Sequence, residues 1–256
     1  MDPATLVGIG VALGAIVVSL VLEGGNIGSM FLLPPMILVI FGTIGAAVAG
    51  SILKDAMRLP KAIVQAMTAK VGDPAKNVQV IVSLAERARR EGLLALDGEI
   101  AKIEDPFLKK ALEMAVDGTD SDEIAEIMGA EVDAKKASDK VAAKLFTDMG
   151  GYSPTIGIIG TVLGLVHVLG SLSDTSSLGG KIAGAFIATL WGVMMANVFW
   201  LPMATRLKRI SEVECEQMEL AIEGVLAIQA GASPRLIARK LQSMMPDSQG
   251  PAKEVA

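Results

Sequence analysis

Residues Met149–Ser173 read M-G-G-Y-S-P-T-I-G-I-I-G-T-V-L-G-L-V-H-V-L-G-S-L-S, without one Asp, Glu, Lys or Arg. A helix needs about 20 apolar residues to cross a hydrocarbon core of about 30 Å. This run is long enough, and three others match it: Pro3–Leu22, Gly24–Leu53 and Ile182–Thr205. Burying four such runs in one soluble core would need a far larger chain than 256 residues. The mean hydropathy of +0.52, the 27 glycines, the 14 methionines and the aromatic content of 4% suit packed apolar helices. The expected fold class is an all-α integral membrane protein. It has four transmembrane helices, with a large helical cytoplasmic loop between the second and third.

Working outward, the run Gly24–Leu53 is too long for one simple span, and Pro34 and Pro35 divide it. Proline suits the first turn of a helix, so the second span is placed at about 34–53. Gly24–Leu33 becomes a short apolar connection near the membrane surface. The first span, about 4–22, is expected to be retained, because Met-Asp-Pro offers no positive n-region for a cleaved signal. The third and fourth spans fall at about 152–173 and 182–204.

Lys and Arg set the orientation. Lys54–Asp148 holds 15 of the 23, the tail from Arg206 holds 7, and Lys181 is the last. Four regions follow: an N-terminal hairpin (1–53), a cytoplasmic helical segment (54–148), a second membrane pair (149–205) and a cytoplasmic helix and tail (206–256). Both termini are expected on the cytoplasmic side of the membrane. Within 54–148, helical apolar spacing recurs at Val78, Ile81, Val82, Ala85 and Ala88, then over Leu93–Ile103, Phe107–Val116 and Asp122–Phe146. Breakers stand at Gly72-Asp73-Pro74, Asp105-Pro106 and Gly118-Thr119-Asp120, with Asp120 or Ser121 as an N-cap. The fourth span continues into a long helix, interrupted at Gly231 and Pro234, before a polar end.

Much chemistry is excluded. One cysteine, Cys215, permits no internal disulfide or cysteine zinc cluster. One histidine, His167, permits no paired-histidine metal motif. A net charge of −5 offers no overall basic surface for nucleic acid. Gly8, Gly10 and Gly14 lie inside a span and serve helix packing, not a nucleotide. No nucleophile–base set marks an enzyme, and no cofactor is expected.

Small residues form rows: Gly157, Gly160 and Gly164 in the third span, Gly184, Ala188, Gly192 and Ala196 in the fourth, Gly10 and Gly14 in the first. Such faces let helices approach closely in lipid, within this chain or against others. None of the 28 acids lies in the four apolar runs. Ion carriers usually need an intramembrane ionisable group. His167, at the outer end of the third span, reads as a packing residue. If this chain moves ions, the carboxylate belongs to a partner. The third and fourth spans do supply Thr161 and Thr189, whose hydroxyls either line a polar route or return to the backbone. Pro154 is expected to begin the third span and Pro202 to near the end of the fourth, together at the cytoplasmic side.

Gly151–Leu169, Ala185–Asn197 with Leu201-Pro202, and Arg89-Arg-Glu-Gly-Leu-Leu-Ala-Leu-Asp97 together resemble the flagellar motor stator A subunits, the MotA and PomA family. The resemblance covers nearly the whole chain. It implies an ion-driven torque generator in which several A subunits ring a dimer of a B-type partner. That MotB- or PomB-like partner carries the ion-binding Asp and grips peptidoglycan. Pro154 and Pro202 match prolines that couple ion flow to movement. Thr161 and Thr189 match hydroxyls near the ion path. Arg89, with Arg90 beside it, and Asp97 match the charged residues that engage the rotor protein FliG. Asp97 stands where many relatives carry Glu. The transported ion is expected to be H+, with Na+ as the alternative. A related reading is a TolQ/ExbB-like energiser of the outer membrane; those proteins typically have three spans. A non-conducting membrane scaffold is a third.

Overall fold

A computed structural model describes residues 4–69, 72–170 and 175–245. All regular structure among the described residues is helical. In chain order the helices are α1 (Ala4–Leu22), α2 (Leu33–Ala49), α3 (Leu53–Ala56), α4 (Leu59–Thr68), α5 (Pro74–Glu91) and α6 (Asp97–Ile100). Next come α7 (Pro106–Val116), α8 (Ser121–Leu169), α9 (Thr175–Met194), α10 (Leu201–Gln229) and α11 (Pro234–Ser243). Short 3-10 turns cover Ile27–Met30 and Leu93–Leu96, and a π-helical segment covers Met195–Trp200. The expected end of the third span at residue 173 and the polar end at 247–256 lie outside the described residues.

The chain divides into two compact units, residues 1–70 with 138–210, and residues 71–137 with 211–256. Helices α8 and α10 contribute residues to both.

The first unit holds the apolar runs. Helices α1, α8 and the segment beginning at Leu178 are long and apolar enough to cross a membrane. Helix α2 is apolar but has only 17 residues, about 25 Å at roughly 1.5 Å per residue. It stops four residues short of the expected 53. The local cause is Gly50 and Ser51: the Gly50 N–H donates to Ala46 O at 3.2 Å, and Ser51 Oγ takes up Val48 O at 3.0 Å. Those bonds close the last turn, because a serine hydroxyl competes for helix carbonyls. The connection before α2 is more than a surface strap. Met30 is buried, Trp191 Nε1 donates to Met30 O at 2.7 Å, and Phe31 meets the Trp191 ring edge-on. A buried cluster of Ala47, Ala66, Phe146, Met149, Trp200 and Met203 forms the other end of this unit.

The second unit is a helical bundle around Ile81, Leu96, Leu112, Ile124, Val225 and Ile237. Helix α11 packs on α5. The breakers act through N-caps. Asp73 accepts from the Ala75 N–H, Asp105 from those of Phe107 and Leu108, and Asp120 from that of Asp122. The α8 N-cap is therefore Asp120, not Ser121, and Gly118 makes the preceding turn at φ +85°.

Candidate functional site

Two places in the molecule hold the residues singled out above. The first lies in the membrane unit, where α8 and α9 run antiparallel. Their glycines meet backbone to backbone. A Cβ added at Gly157 would lie 2.8 Å from Ala188 O and 3.1 Å from Gly192 Cα. One added at Gly192 would lie 2.7 Å from Ser153 O. Gly164 stands equally close to Ala185, with 2.9 Å to its Cα. The row Gly157/Gly160/Gly164 is thus occupied by this chain's own Ala185, Ala188 and Gly192. By contrast, Gly8, Gly10 and Gly14 have nothing within 4 Å of an added Cβ.

This close approach brings Thr161 and Thr189 together. Their hydroxyl oxygens are 2.5 Å apart. Thr161 Oγ1 also reaches Ala185 O at 2.9 Å and Gly157 O at 3.2 Å, while Thr189 Oγ1 reaches Gly157 O only at 3.5 Å. A hydroxyl has one proton to give. The consistent assignment has Thr161 donating to Ala185 O and accepting from Thr189. Both hydroxyls are half-buried. Thr161 returns to the backbone, and the two oxygens form a polar spot in an apolar helix pair.

Sequence reasoning missed Ser153. It is fully buried, and its Oγ donates to Gly192 O at 2.8 Å across the helix pair. A signal was available, since Ser153, Gly157, Gly160 and Gly164 follow helical spacing along one face.

The structure separates the two prolines. Ser153 faces Gly192, and Phe146 packs beside Trp200. In that register Pro202 lies about ten residues beyond the level of Pro154, roughly 15 Å along the axis. They do not form one layer. Nor does Pro154 begin a helix, because it sits inside α8. Pro202 is the second residue of α10, just past the π segment, where the Leu201 N–H donates to Ala196 O. Proline has no N–H for the fourth preceding carbonyl, and its ring crowds that carbonyl. A locally widened helix accommodates both effects.

The second place is in the other unit. Arg89, Arg90 and Asp97 do not lie on one helix. Helix α5 ends at Glu91, and Gly92 turns the chain at φ +87°, a conformation glycine adopts without strain. The turn Leu93–Leu96 follows, and Asp97 opens α6. All three charged side chains are exposed. Arg90 pairs with Glu86 at 3.7 Å. Among the described residues Arg89 and Asp97 have no ion pair. Arg87, unremarked in the sequence, ties the turn together through Glu91 at 3.1 Å and through Glu99. Lys102 also reaches Glu99 at 2.9 Å. The hydrogen bond from Lys102, with the charges of Lys102 and Arg87, outweighs partial burial and holds the Glu99 carboxyl below its ordinary value of 4.5. The Arg87–Glu91 spacing was readable as i,i+4; the Glu99 contact depends on the turn at Gly92. His167 is exposed near the end of α8.

Comparison with known proteins adds three findings. Residues 99–220 match the MotA/TolQ/ExbB proton channel family, and residues 6–92 match the motility protein A N-terminal family. Motility protein A of Bacillus subtilis is 37% identical over 247 residues, covering 96% of this chain and 92% of that protein. Motility protein A of Borreliella burgdorferi is 34% identical over 245 residues, covering 96% and 94%. Among solved structures, the flagellar MotAB stator complex of Bacillus subtilis aligns with a TM-score of 0.90 at 36% identity, covering 96% of both chains. The C. jejuni MotAB structure aligns with a TM-score of 0.95 at 28% identity, covering 99% of this chain and 100% of that one.

Proposed function

This chain belongs to the motility protein A family, and from that premise we infer that it is the A-type stator subunit of a bacterial flagellar motor. With a MotB-type partner it forms an oligomeric ion channel of the inner membrane. Both aligned structures are of MotAB, which supports the partner. The match to the motility protein A N-terminal family over residues 6–92 favours the stator over a TolQ/ExbB-like energiser.

The observation that carries a conducting role is the Thr161–Thr189 pair, set in spans that contain no acid. We propose that the four apolar runs are four spans, with α2 as the shortest and both termini cytoplasmic. The placement of 22 of the 23 Lys and Arg in two segments supports this topology. Several copies surround a partner dimer whose Asp binds the ion. The ion, expected to be H+, approaches that carboxylate past Thr189, whose oxygen keeps a lone pair available. Pro154 and Pro202 act as two separate flexible points at different depths. Arg89, supported by Arg90, and Asp97 face FliG.

Deleting the gene tests the reading. Cells should keep their filaments but not swim, and the parent gene should restore swimming together with co-purification of the MotB-type partner. Swimming speed against sodium at fixed pH tests the ion, with a flat response expected for H+. Normal swimming without the gene would overturn the stator role.

A further inference from the structure

The turn between Arg89 and Asp97 carries an unusual apolar residue. In the second unit Leu94 is the most exposed large apolar side chain described, at 76%, against 58% for Leu236. Its exposure follows from local geometry. In a 3-10 turn, residues i and i+3 fall on one face. Leu93 packs against the core and Leu96 is fully buried. Leu94 therefore points away. The turn is held from both ends, by Gly92 at φ +87° and by Arg87 bridging to Glu91 and Glu99. An exposed leucine on a fixed platform loses little freedom on binding, which is the condition for an efficient anchor. Two charged residues, neither in an ion pair among the described residues, flank it in sequence, Arg89 before and Asp97 after.

We propose that Leu94 is the apolar anchor of the rotor contact. It enters a pocket on a partner helix whose rim carries an acid opposite Arg89 and a base opposite Asp97. This rests on the reading of Arg89–Asp97 as the rotor-facing motif. The charges and the leucine divide the work. Exposed charges steer the encounter and are screened by salt beyond about 8–10 Å. The leucine, removed from water in the contact, slows release and is insensitive to screening.

The test uses the full complex with its MotB-type partner, titrated against FliG of the same bacterium at low and high salt. Leu94→Ala should weaken binding about tenfold at both salt levels, the loss expected for most of a buried leucine. Leu94→Met should stay close to the parent, because it restores volume and apolarity. Leu236→Ala should change nothing. Arg89→Glu should weaken binding mainly at low salt. If Leu94→Ala binds like the parent while Arg89→Glu does not, the anchor is wrong and the rotor-facing reading stands. If the parent complex does not bind FliG, both fail. If Leu94→Ala breaks the complex into smaller assemblies by mass, the leucine belongs to a contact between copies, and the proposal is overturned.

Discussion

Thr161 and Thr189 touch, yet they are not equivalent. Thr161 gives its proton to Ala185 O and receives one from Thr189. Among the described residues Thr189 has only the distant Gly157 O as a second hydrogen-bond neighbour, at 3.5 Å. Under the proposed ion path, its oxygen is the freer ligand for a passing cation. Thr189→Val keeps shape and removes that oxygen. We expect assembly to persist and torque to fall, with a smaller loss for Thr161→Val; tethered-cell rotation at fixed ion gradient reads both. Equal parental torque in both variants would mean that the hydroxyls only serve packing. Glu99 makes a prediction in pH. Its folded pKa is depressed, so its bridges to Lys102 and Arg87 stabilise the turn above the ordinary carboxylate range. That contribution is lost as pH falls through the folded value. Glu99→Gln should lower the stability of the complex modestly at pH 7 and flatten the acid side of its stability curve, so that variant and parent converge at low pH. An acid limb as steep as the parent's would show that other carboxylates set it.

Between elements, contact at Gly157 and Gly192 fixes how α8 and α9 meet. Gly192→Ala would put a Cβ 2.7 Å from Ser153 O and 2.9 Å from Gly157 Cα, both backbone atoms that cannot turn aside. Overpacking of this kind costs about 1–3 kcal/mol. Ser153→Ala removes one interhelical bond, worth about 0.6 kcal/mol inside a membrane. Thermal stability of the purified complex should therefore fall clearly for Gly192→Ala and slightly for Ser153→Ala. It should stay unchanged within this chain for Gly10→Ala, which has open space. The opposite ranking of the first two would refute the close contact. These contacts also mark where sequence reading ended. Charge-free runs located α1 from Ala4 to Leu22, because its boundaries depend on composition alone. Asp73, Asp105 and Asp120 announced their helices because an N-cap is a local device. The levels of Pro154 and Pro202 were misread, because register comes from which glycines meet across two helices. The π segment Met195–Trp200 and the turn at Gly92 were also hidden, since backbone hydrogen-bond choices leave few marks on residue type.

At the scale of the whole molecule, the proposed chemistry is divided between this chain and its partner. This chain contributes hydroxyls, close helix contacts and a charged turn, while its apolar runs contain no acid. On the proposed reading the ion-binding carboxylate comes from the partner, and conduction is a property of the complex. Proton flux into vesicles under an imposed gradient measures this directly. Vesicles holding the chain with its MotB-type partner should conduct, and vesicles holding the chain alone should not. Thr189→Val in the complex should lower flux by roughly tenfold, in line with about 1.5 kcal/mol for one polar contact to a charge. Parental flux through the chain alone, or through the Thr189→Val complex, would contradict the account.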